Sequence, residues 1–251
     1  MEEKINKKLF GLLGKNISYS FSRGYFKEKF ELLNLDNHKY VNFDIDVINQ
    51  FDDIIQENKS TLSGMNVTIP YKEEVMPFLD KLDKKARKIG AVNTIKITKK
   101  GKLKGYNTDY YGFKKSLEPL LNKKHKKALI LGTGGASKAI AFALKKLDIT
   151  YKFVSRKGSG ENMLNYSEID QETIEESLLI INCTPLGTSP DIDKKPDIPY
   201  QFLGADHILY DLIYNPSETA FLKAGKEKGA TIKNGLQMLE LQAEKAWKIW
   251  N

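Results

Sequence analysis

A lysine and an aspartate in the first half of the chain could act as an acid–base pair, for example beside a hydride donor that reduces a carbonyl group. Lys72 ends the stretch NVTIPYK, and Asp109 ends the stretch GYNTD. Carbonyl reduction needs a proton for the developing alkoxide, and an ammonium group supplies or relays that proton and also stabilises the oxyanion. A carboxylate can orient the lysine and hold a substrate hydroxyl. Each residue also has a plainer interpretation, Lys72 as a solvated surface group and Asp109 as the N-cap of a helix that starts near Tyr110.

A glycine-rich turn in the second half could hold a dinucleotide. The apolar run 127–131 (KALIL) leads into GTGGAS at 132–137, and residues 138–147 have apolar side chains at helical spacing. Gly132 permits a tight turn after the strand, and Gly134 lets the backbone approach a pyrophosphate, which the helix N-terminus stabilises. Ser137 replaces the third glycine or alanine of the fingerprint. A structural turn in some other α/β protein is the alternative.

The end of the next strand indicates which dinucleotide binds. Residues 150–154 read as a strand that continues into Ser155, Arg156 and Lys157. NAD-selective sites place an acid there for the ribose 2′-hydroxyl, whereas this chain has two cations. A planar guanidinium can grip a 2′-phosphate. Arg156 therefore predicts NADP, with a surface arginine that contacts nothing as the alternative.

Alternating strands and helices would position these residues. In the second half, residues 178–181 and 207–212 read as further buried strands, which predicts a dinucleotide-binding half. The first half contains strands at 8–13, 41–45 and 65–69, helices at 24–33 and 47–57, and a hairpin over 93–104.

The fold class that follows is α/β, with two α/β domains. Residues 1–108 form the expected substrate-binding and catalytic domain, and residues 109–235 the expected Rossmann-like NADP-binding domain. A terminal helix is expected at 236–251. A cleft between two such domains is a usual place for a small-molecule site.

Composition argues against several other classes of protein. No apolar run approaches eighteen residues and the N-terminus lacks a signal-peptide core, so we expect a cytoplasmic protein without a membrane partner. Cys183 is the single cysteine and there are three histidines, which predicts no disulfide and no metal. The net charge of +8 comes from lysines spread along the whole chain, which disfavours nucleic acid as a partner and suits small anions.

Four polar stretches of the first half end predicted strands: SYSFS at 18–22, NVTIPYK at 66–72, GAVNT at 90–94 and GYNTD at 105–109. Together with GTGGAS at 132–137, DLIYNP at 211–216, and Gly235 and Gln242 near the C-terminus, they resemble shikimate dehydrogenases in order and approximate spacing. The resemblance implies reversible, NADPH-dependent reduction of 3-dehydroshikimate to shikimate in the chorismate branch of aromatic amino-acid biosynthesis.

The resemblance also assigns roles by matching position. Lys72 and Asp109 fall on the catalytic positions. Ser20 and Ser22 would bind the substrate carboxylate, and Thr68, Asn93 and Asp109 the ring hydroxyls. Tyr214 and Gln242 would close the pocket, and the role of Gln242 implies that the helix at 236–251 packs back on the first domain. The cofactor positions are Gly132, Thr133, Gly134, Gly135, Ala136, Ser155, Arg156, Thr184, Leu212 and Gly235; for Leu212 a plain core role is nearly as good an interpretation.

Two rival functions stay open at this point. A quinate or dual quinate/shikimate dehydrogenase differs by a few ring contacts, although an NADP preference favours the biosynthetic enzyme. A ligand-binding homologue without activity is the other rival, and the presence of both Lys72 and Asp109 argues against it. The sequence leaves a monomer and a homodimer equally open.

Overall fold

The computed structural model describes residues 7–18, 20–158, 160 and 162–251. Residues 1–4 and Tyr19 of the first polar stretch lie outside the described residues. The chain divides into two compact units. The first contains the described residues up to Thr108 together with Ala243–Asn251, and the second is Asp109–Gln242.

A mixed six-stranded sheet forms the centre of the first unit. Its strands are β1 (Lys8–Gly14), β2 (His38–Asp44), β3 (Leu62–Val67), β4 (Lys81–Leu82), β5 (Thr94–Ile97) and β6 (Leu103–Tyr106), in the order β2-β1-β3-β5-β6-β4. Strand β1 pairs in parallel with β2 and β3, and β5 pairs antiparallel with β3 and β6. The carboxyl ends of β1, β2 and β3 therefore share one edge of the sheet.

Helices α1 (Phe21–Leu32), α2 (Phe51–Glu57) and α3 (Lys84–Ile89) also belong to the first unit, with single 3-10 turns at Ile48–Gln50 and Met76–Phe78. Phe26 and Phe30 of α1 are buried in an aromatic core beside Phe10 of β1. The predicted hairpin is confirmed, because β5 and β6 are joined by a turn with Gly101 at a φ of 73°.

A parallel six-stranded sheet forms the centre of the second unit. Its strands are β7 (Lys127–Leu131), β8 (Thr150–Val154), β9 (Met163–Leu164), β10 (Leu179–Asn182), β11 (Ile208–Asp211) and β12 (Thr231–Lys233). They lie in the order β12-β11-β10-β7-β8-β9, and every pairing is parallel. This order reverses between β7 and β10, as it does in dinucleotide-binding sheets. The predicted Rossmann-like fold is confirmed.

The helices of the second unit connect these strands. They are α4 (Asp109–Leu117), α5 (Gly135–Lys145), α6 (Gln171–Glu176) and α7 (Ala220–Lys226), with 3-10 turns at Glu118–Leu120, Tyr166–Glu168 and Tyr200–Phe202. The last helix, α8 (Leu236–Trp250), begins in this unit, and its residues from Ala243 onward belong to the first unit. Among the described residues no helix is long and apolar enough to cross a bilayer.

Two helices begin three residues earlier than the sequence predicts. Helix α1 starts at Phe21 instead of residue 24, and α5 starts at Gly135 instead of residue 138. Ser20 and Gly134 have extended backbone and act as the N-cap residues. Serine and glycine are weak helix formers but favoured caps, so apolar periodicity does not detect these first turns. Ser22 and Ala136 consequently lie on helix N-terminal turns.

Candidate active site

Hydroxyl and amine side chains of the first unit follow the carboxyl ends of two neighbouring parallel strands. Ser20 and Ser22 come after β1, and Thr68 and Lys72 come after β3. The backbone N–H of Thr68 donates to the carbonyl of Leu13 at 2.9 Å, which joins the two loops. The structure thus places four of the predicted site residues just after these two strands, with Ser22 already on the first turn of α1.

The backbone around Lys72 is held on both sides. The preceding residue, Tyr71, is 2% exposed, and its hydroxyl donates to the carbonyl of Ile45 at 2.8 Å. The carbonyl of Lys72 itself accepts from the N–H of Val92 at 2.7 Å. The half-buried lysine side chain therefore starts from a fixed point on the sheet edge.

Ser20 has a buried hydroxyl oxygen with no hydrogen-bond partner among the described residues. It is the N-cap residue of α1, yet its side chain makes no capping hydrogen bond. Leaving a buried polar group unpaired costs about 1–3 kcal/mol, so such a group is usually satisfied by a ligand or by water. The neighbouring Ser22 is 7% exposed on the first turn of the same helix.

Asn93 lies in a network of buried polar side chains. Its Oδ1 accepts from the backbone N–H of Thr108 at 2.6 Å, and its Nδ2 donates to Thr108 Oγ1 at 3.0 Å. Asn66 Nδ2 donates to the carbonyl of Asn93 at 3.3 Å, and Tyr40 donates to Asn66 Oδ1 at 2.8 Å. The sequence analysis assigned no role to Tyr40, Asn66 or Thr108. Thr108 holds the Asn93 amide in one orientation, and Asn66, itself bonded to Tyr40, holds the Asn93 main chain.

Asp109 begins helix α4 in the second unit and is 6% exposed. Its alternative interpretation from the sequence was the N-cap of a helix that starts near Tyr110, whereas the structure includes it in the helix. One turn later, a Cβ on Gly112 would lie 2.3 Å from the carbonyl oxygen of Met238 and 3.1 Å from the nitrogen of Gln242. Helix α8 therefore packs directly on α4 close to Asp109, and the buried Gln242 lies at this contact.

The glycine turn after β7 has room for a diphosphate. Gly132 has a φ of 103°, which favours glycine, and its N–H donates to the carbonyl of Val154 at 2.8 Å. A Cβ on Gly134 would meet no atom within 4 Å, so the space in front of the exposed turn is open. The residues Thr133, Gly135 and Ala136 line the same turn and are exposed or half-buried.

Ser137 explains how this turn tolerates a serine at the third fingerprint position. The side chain is fully buried, and its hydroxyl donates to the carbonyl of Gly134 at 2.6 Å. The hydroxyl is thus satisfied inside the turn and the helix can still pack closely on the sheet. The N-terminal N–H groups of α5, at Gly135 and Ala136, have no partner within the helix and suit a bound anion.

Arg156 is exposed on the turn that follows β8, beside the glycine turn. The N–H of Ser155 donates to the carbonyl of Leu164 at 3.0 Å, and the carbonyl of Arg156 accepts from Asn165 Nδ2 at 3.1 Å. These bonds fix the backbone of the turn and leave the guanidinium in solvent. The arrangement fits the 2′-phosphate of NADP.

Thr184, Leu212 and Gly235 lie together at the carboxyl ends of β10 and β11. The N–H of Leu212 donates to the carbonyl of Asn182 at 3.0 Å, and a Cβ on Gly235 would lie 2.1 Å from the carbonyl oxygen of Leu212. The side chain of Leu212 packs, partly buried, against the core of the second unit, so its core interpretation also holds. Tyr214 is half-buried two residues further along the same loop.

Asn182 and Asp211 are fully buried polar residues at the carboxyl ends of β10 and β11. Neither was among the predicted site residues. Asp211 Oδ1 accepts from Asn182 Nδ2 at 3.1 Å and from the N–H of Ile213 at 3.0 Å. Burial raises the pKa of the Asp211 carboxyl to about 6, against the lowering effect of its hydrogen bonds. The sequence could have pointed to Asn182 and Asp211, because each is the polar residue at which a buried apolar run ends.

A Rossmann-like sheet with an open glycine turn, in one chain with an α/β unit that carries a lysine and buried hydroxyls, is typical of a dinucleotide-dependent oxidoreductase. The family model described as shikimate dehydrogenase substrate binding domain matches residues 12–95. The shikimate dehydrogenase (NADP(+)) of Methanococcus maripaludis is 40% identical over 260 residues, which cover 97% of this chain and 91% of the relative. The chain belongs to the shikimate dehydrogenase family.

Solved structures agree with this assignment. Shikimate dehydrogenase 1 from Peptoclostridium difficile has a TM-score of 0.85 and 38% identity, covering 97% of this chain and 91% of its own. The Thermus thermophilus enzyme in complex with NADP(H) and shikimate has a TM-score of 0.86 and 30% identity, covering 97% and 93%. The family, the fold class and the oxidoreductase activity predicted from the sequence are confirmed, and the roles of individual residues stay predictions.

Proposed function

We propose that this chain catalyses the reversible reduction of 3-dehydroshikimate to shikimate with NADPH, as a cytoplasmic enzyme of chorismate biosynthesis. The observation that carries the proposal is similarity to shikimate dehydrogenases (NADP(+)) over 97% of the chain. The open glycine turn and the exposed Arg156 support NADP as the cofactor.

The second unit would bind the cofactor along one edge of its sheet. The turn from Gly132 to Ala136 would hold the diphosphate, and Ser155 and Arg156 the 2′-phosphate. Thr184, Leu212 and Gly235 would line the nicotinamide. When bound, NADPH supplies the hydride that adds to the substrate carbonyl carbon.

Lys72 would donate the proton that the carbonyl oxygen requires as the hydride arrives. An ammonium group suits this role because its charge stabilises the developing alkoxide before the proton moves. Asp109 would accept a hydrogen bond from a substrate hydroxyl. In the reverse direction Lys72 takes the hydroxyl proton, so the reaction balances as ketone, NADPH and one proton against alcohol and NADP⁺.

The remaining contacts would orient the ring. Ser20 has an unpaired buried hydroxyl that can donate to the substrate carboxylate. Ser22, on the first turn of α1, would donate to the same carboxylate. Thr68 and Asn93 would bind ring hydroxyls, and Tyr214 and Gln242 would close the pocket. These hydroxyls and amides are neutral, so they select by geometry more than by charge.

The test is an assay with shikimate or quinate, each with NADP⁺ or NAD⁺. We expect absorbance to grow at the NADPH band with shikimate and NADP⁺. Lys72→Ala should lower kcat by about 10²–10⁴ and leave the Kd for shikimate within a few-fold, because it removes the proton donor and spares the other contacts. Lys88→Ala, at an exposed lysine of α3, is the matched control and should leave kcat unchanged.

Other results would assign a different function. Activity with quinate and none with shikimate would make the chain a quinate dehydrogenase. Tight shikimate binding without turnover in any of the combinations would indicate a ligand-binding homologue. Turnover by Lys72→Ala at the wild-type rate would remove Lys72 from the catalytic step.

A further inference from the structure

A buried asparagine–aspartate pair joins the two strands whose loops carry the nicotinamide-side residues. Asn182 ends β10 and Asp211 ends β11, and the two are register partners in the parallel sheet. Both side chains are fully buried, and Asn182 Nδ2 donates to Asp211 Oδ1 at 3.1 Å. A carboxylate is expensive to bury, so its retention at this edge needs a compensating role.

The carboxylate of Asp211 accepts hydrogen bonds from three sides. Besides Asn182, the N–H of Ile213 donates to Oδ1 at 3.0 Å, and Thr219 Oγ1 donates to Oδ2 at 2.6 Å. Thr219 is the N-cap of α7, where its oxygen accepts from the N–H of Leu222. Asp211 thereby ties the loop after β11 to the start of the next helix.

Asn182 holds the loop after β10 in place through hydrogen bonds with Thr184. Its Oδ1 accepts from both the N–H and the Oγ1 of Thr184, at 3.0 and 2.6 Å. Since its Nδ2 is directed at Asp211, the amide can adopt only one of its two flipped orientations. Asp211 thus determines which side of Asn182 faces Thr184.

We propose that Asn182 and Asp211 are positioning residues that hold Thr184 and the backbone around Leu212 in the geometry that the nicotinamide end of the cofactor requires. This inference rests on the proposed function, which assigns Thr184 and Leu212 to the cofactor. Neither member of the pair needs to touch the cofactor, because both act through the loops that they fix.

The pair also gives cofactor binding a dependence on pH. Burial raises the pKa of Asp211 to about 6, so it is ionised at neutral pH and takes up a proton below that value. The proton would occupy one carboxyl oxygen and displace a donor there. Among the described residues, Cys183 and Tyr200 interact electrostatically with Asp211. Burial raises the pKa of the Cys183 thiol and of the Tyr200 phenol, so both groups stay neutral across this range.

The experiment compares the Kd for NADPH of the wild type and of Asp211→Asn at two pH values. Asp211→Asn replaces one acceptor oxygen by a donor group at every pH, as protonation of the acid does. The Kd ratio of variant to wild type should be about tenfold near pH 7.5 and fall towards one near pH 5. The 2′-phosphate of NADPH titrates near pH 6 as well, but it does so for both proteins and cancels in the ratio.

Two further variants keep the test decisive. Asp206→Asn changes an exposed aspartate that lies two residues before β11 and pairs with Lys124, and it should leave the Kd unchanged. Asn182→Ala removes the acceptor of Thr184 and should weaken NADPH binding at both pH values, which carries the test if Asp211→Asn does not fold by circular dichroism. Wild-type affinity in either folded variant, or a ratio independent of pH, would overturn the inference; a wild type that binds no NADPH would instead overturn the proposed function.

Discussion

The exposed guanidinium of Arg156 is the side chain that we expect to select NADPH over NADH. It lies on the turn after β8, and positions 155–158 contain no acid that would repel a 2′-phosphate. The backbone of this turn is fixed by neighbouring amides, so truncation of the side chain should not disturb the fold. The contribution of Arg156 can therefore be measured cleanly.

Arg156→Ala should raise the Kd for NADPH by about 10- to 100-fold, the range of a lost charge-assisted bidentate contact. The Kd for NADH should change by less than about threefold, because NADH lacks the phosphate that the guanidinium binds. Fluorescence titration with both nucleotides measures the two constants. Lys157→Ala is the neighbouring control and should cost only a few-fold, since an ammonium lacks the fork geometry; equal losses of NADPH and NADH affinity in Arg156→Ala would refute the NADP assignment.

At the scale of elements, two glycines test whether helix α4 is held by its contact with α8. Gly24 is the fourth residue of α1 and Gly112 the fourth residue of α4. A Cβ at Gly24 would meet nothing within 4 Å, whereas a Cβ at Gly112 would lie 2.3 Å from a main-chain oxygen. The intrinsic helix propensity gained by alanine is the same in both helices, so any difference comes from packing.

Gly24→Ala should raise the free energy of unfolding by about 0.5–1 kcal/mol, because glycine is a poor helix former. Gly112→Ala should lower it by about 1–3 kcal/mol, because α8 must move away from α4. Urea denaturation followed by far-UV circular dichroism measures both changes. If the two substitutions changed stability in the same direction, the close contact between α4 and α8 would be wrong.

The sequence could predict most elements because each has a local signal. Strand β7 is a continuous apolar run, and the hairpin turn contains a glycine at positive φ. The starts of α1 and α5 were missed because their first three residues, FSR in α1 and GAS in α5, are too few and too mixed to show apolar periodicity. Local signals of this kind predict where a helix or strand lies but not the residues at which it begins and ends.

Partners within the site depend on tertiary structure and could not be predicted in the same way. Asn182 and Asp211 are 29 residues apart in the chain, and Tyr40 and Asn66 are 26 apart. Nothing in the intervening sequence indicates that their side chains pair. The motifs identified Lys72, Asn93 and Thr184, whereas the residues that orient Asn93 and Thr184 became visible only in the folded chain.

At the scale of the whole molecule, the first unit contains a C-terminal segment that follows the second unit in the chain. Ala243–Asn251 belongs to the first unit, where the ring of Trp250 packs on Gly64 and lies 4.9 Å from the ring of Phe10. Trp250 Nε1 also donates to the carbonyl of Ile95 at 2.9 Å. The first unit is therefore discontinuous in sequence, and its core includes the last turn of α8.

Trp247 and Trp250 are the two tryptophans of the chain, so intrinsic fluorescence reports on the first unit. Trp250→Ala should lower the free energy of unfolding by about 3–5 kcal/mol, because it empties a large buried site. Trp250→Phe keeps most of the packing and loses the bond to Ile95, so it should cost less, about 1–2 kcal/mol for the hydrogen bond. Urea unfolding followed by the fluorescence of Trp247 gives both values.

Trp250→Phe also tests whether the stability of the first unit affects the Kd for NADPH. The residues assigned to NADPH all lie in Asp109–Gln242, whereas Trp250 is a core residue of the other unit. Trp250→Phe should therefore bind NADPH with wild-type Kd in native buffer while its unfolding midpoint falls. A loss of NADPH affinity in step with the loss of stability would mean that the cofactor site depends on the core that Trp250 closes, and the assignment of the cofactor to the second unit on its own would be wrong.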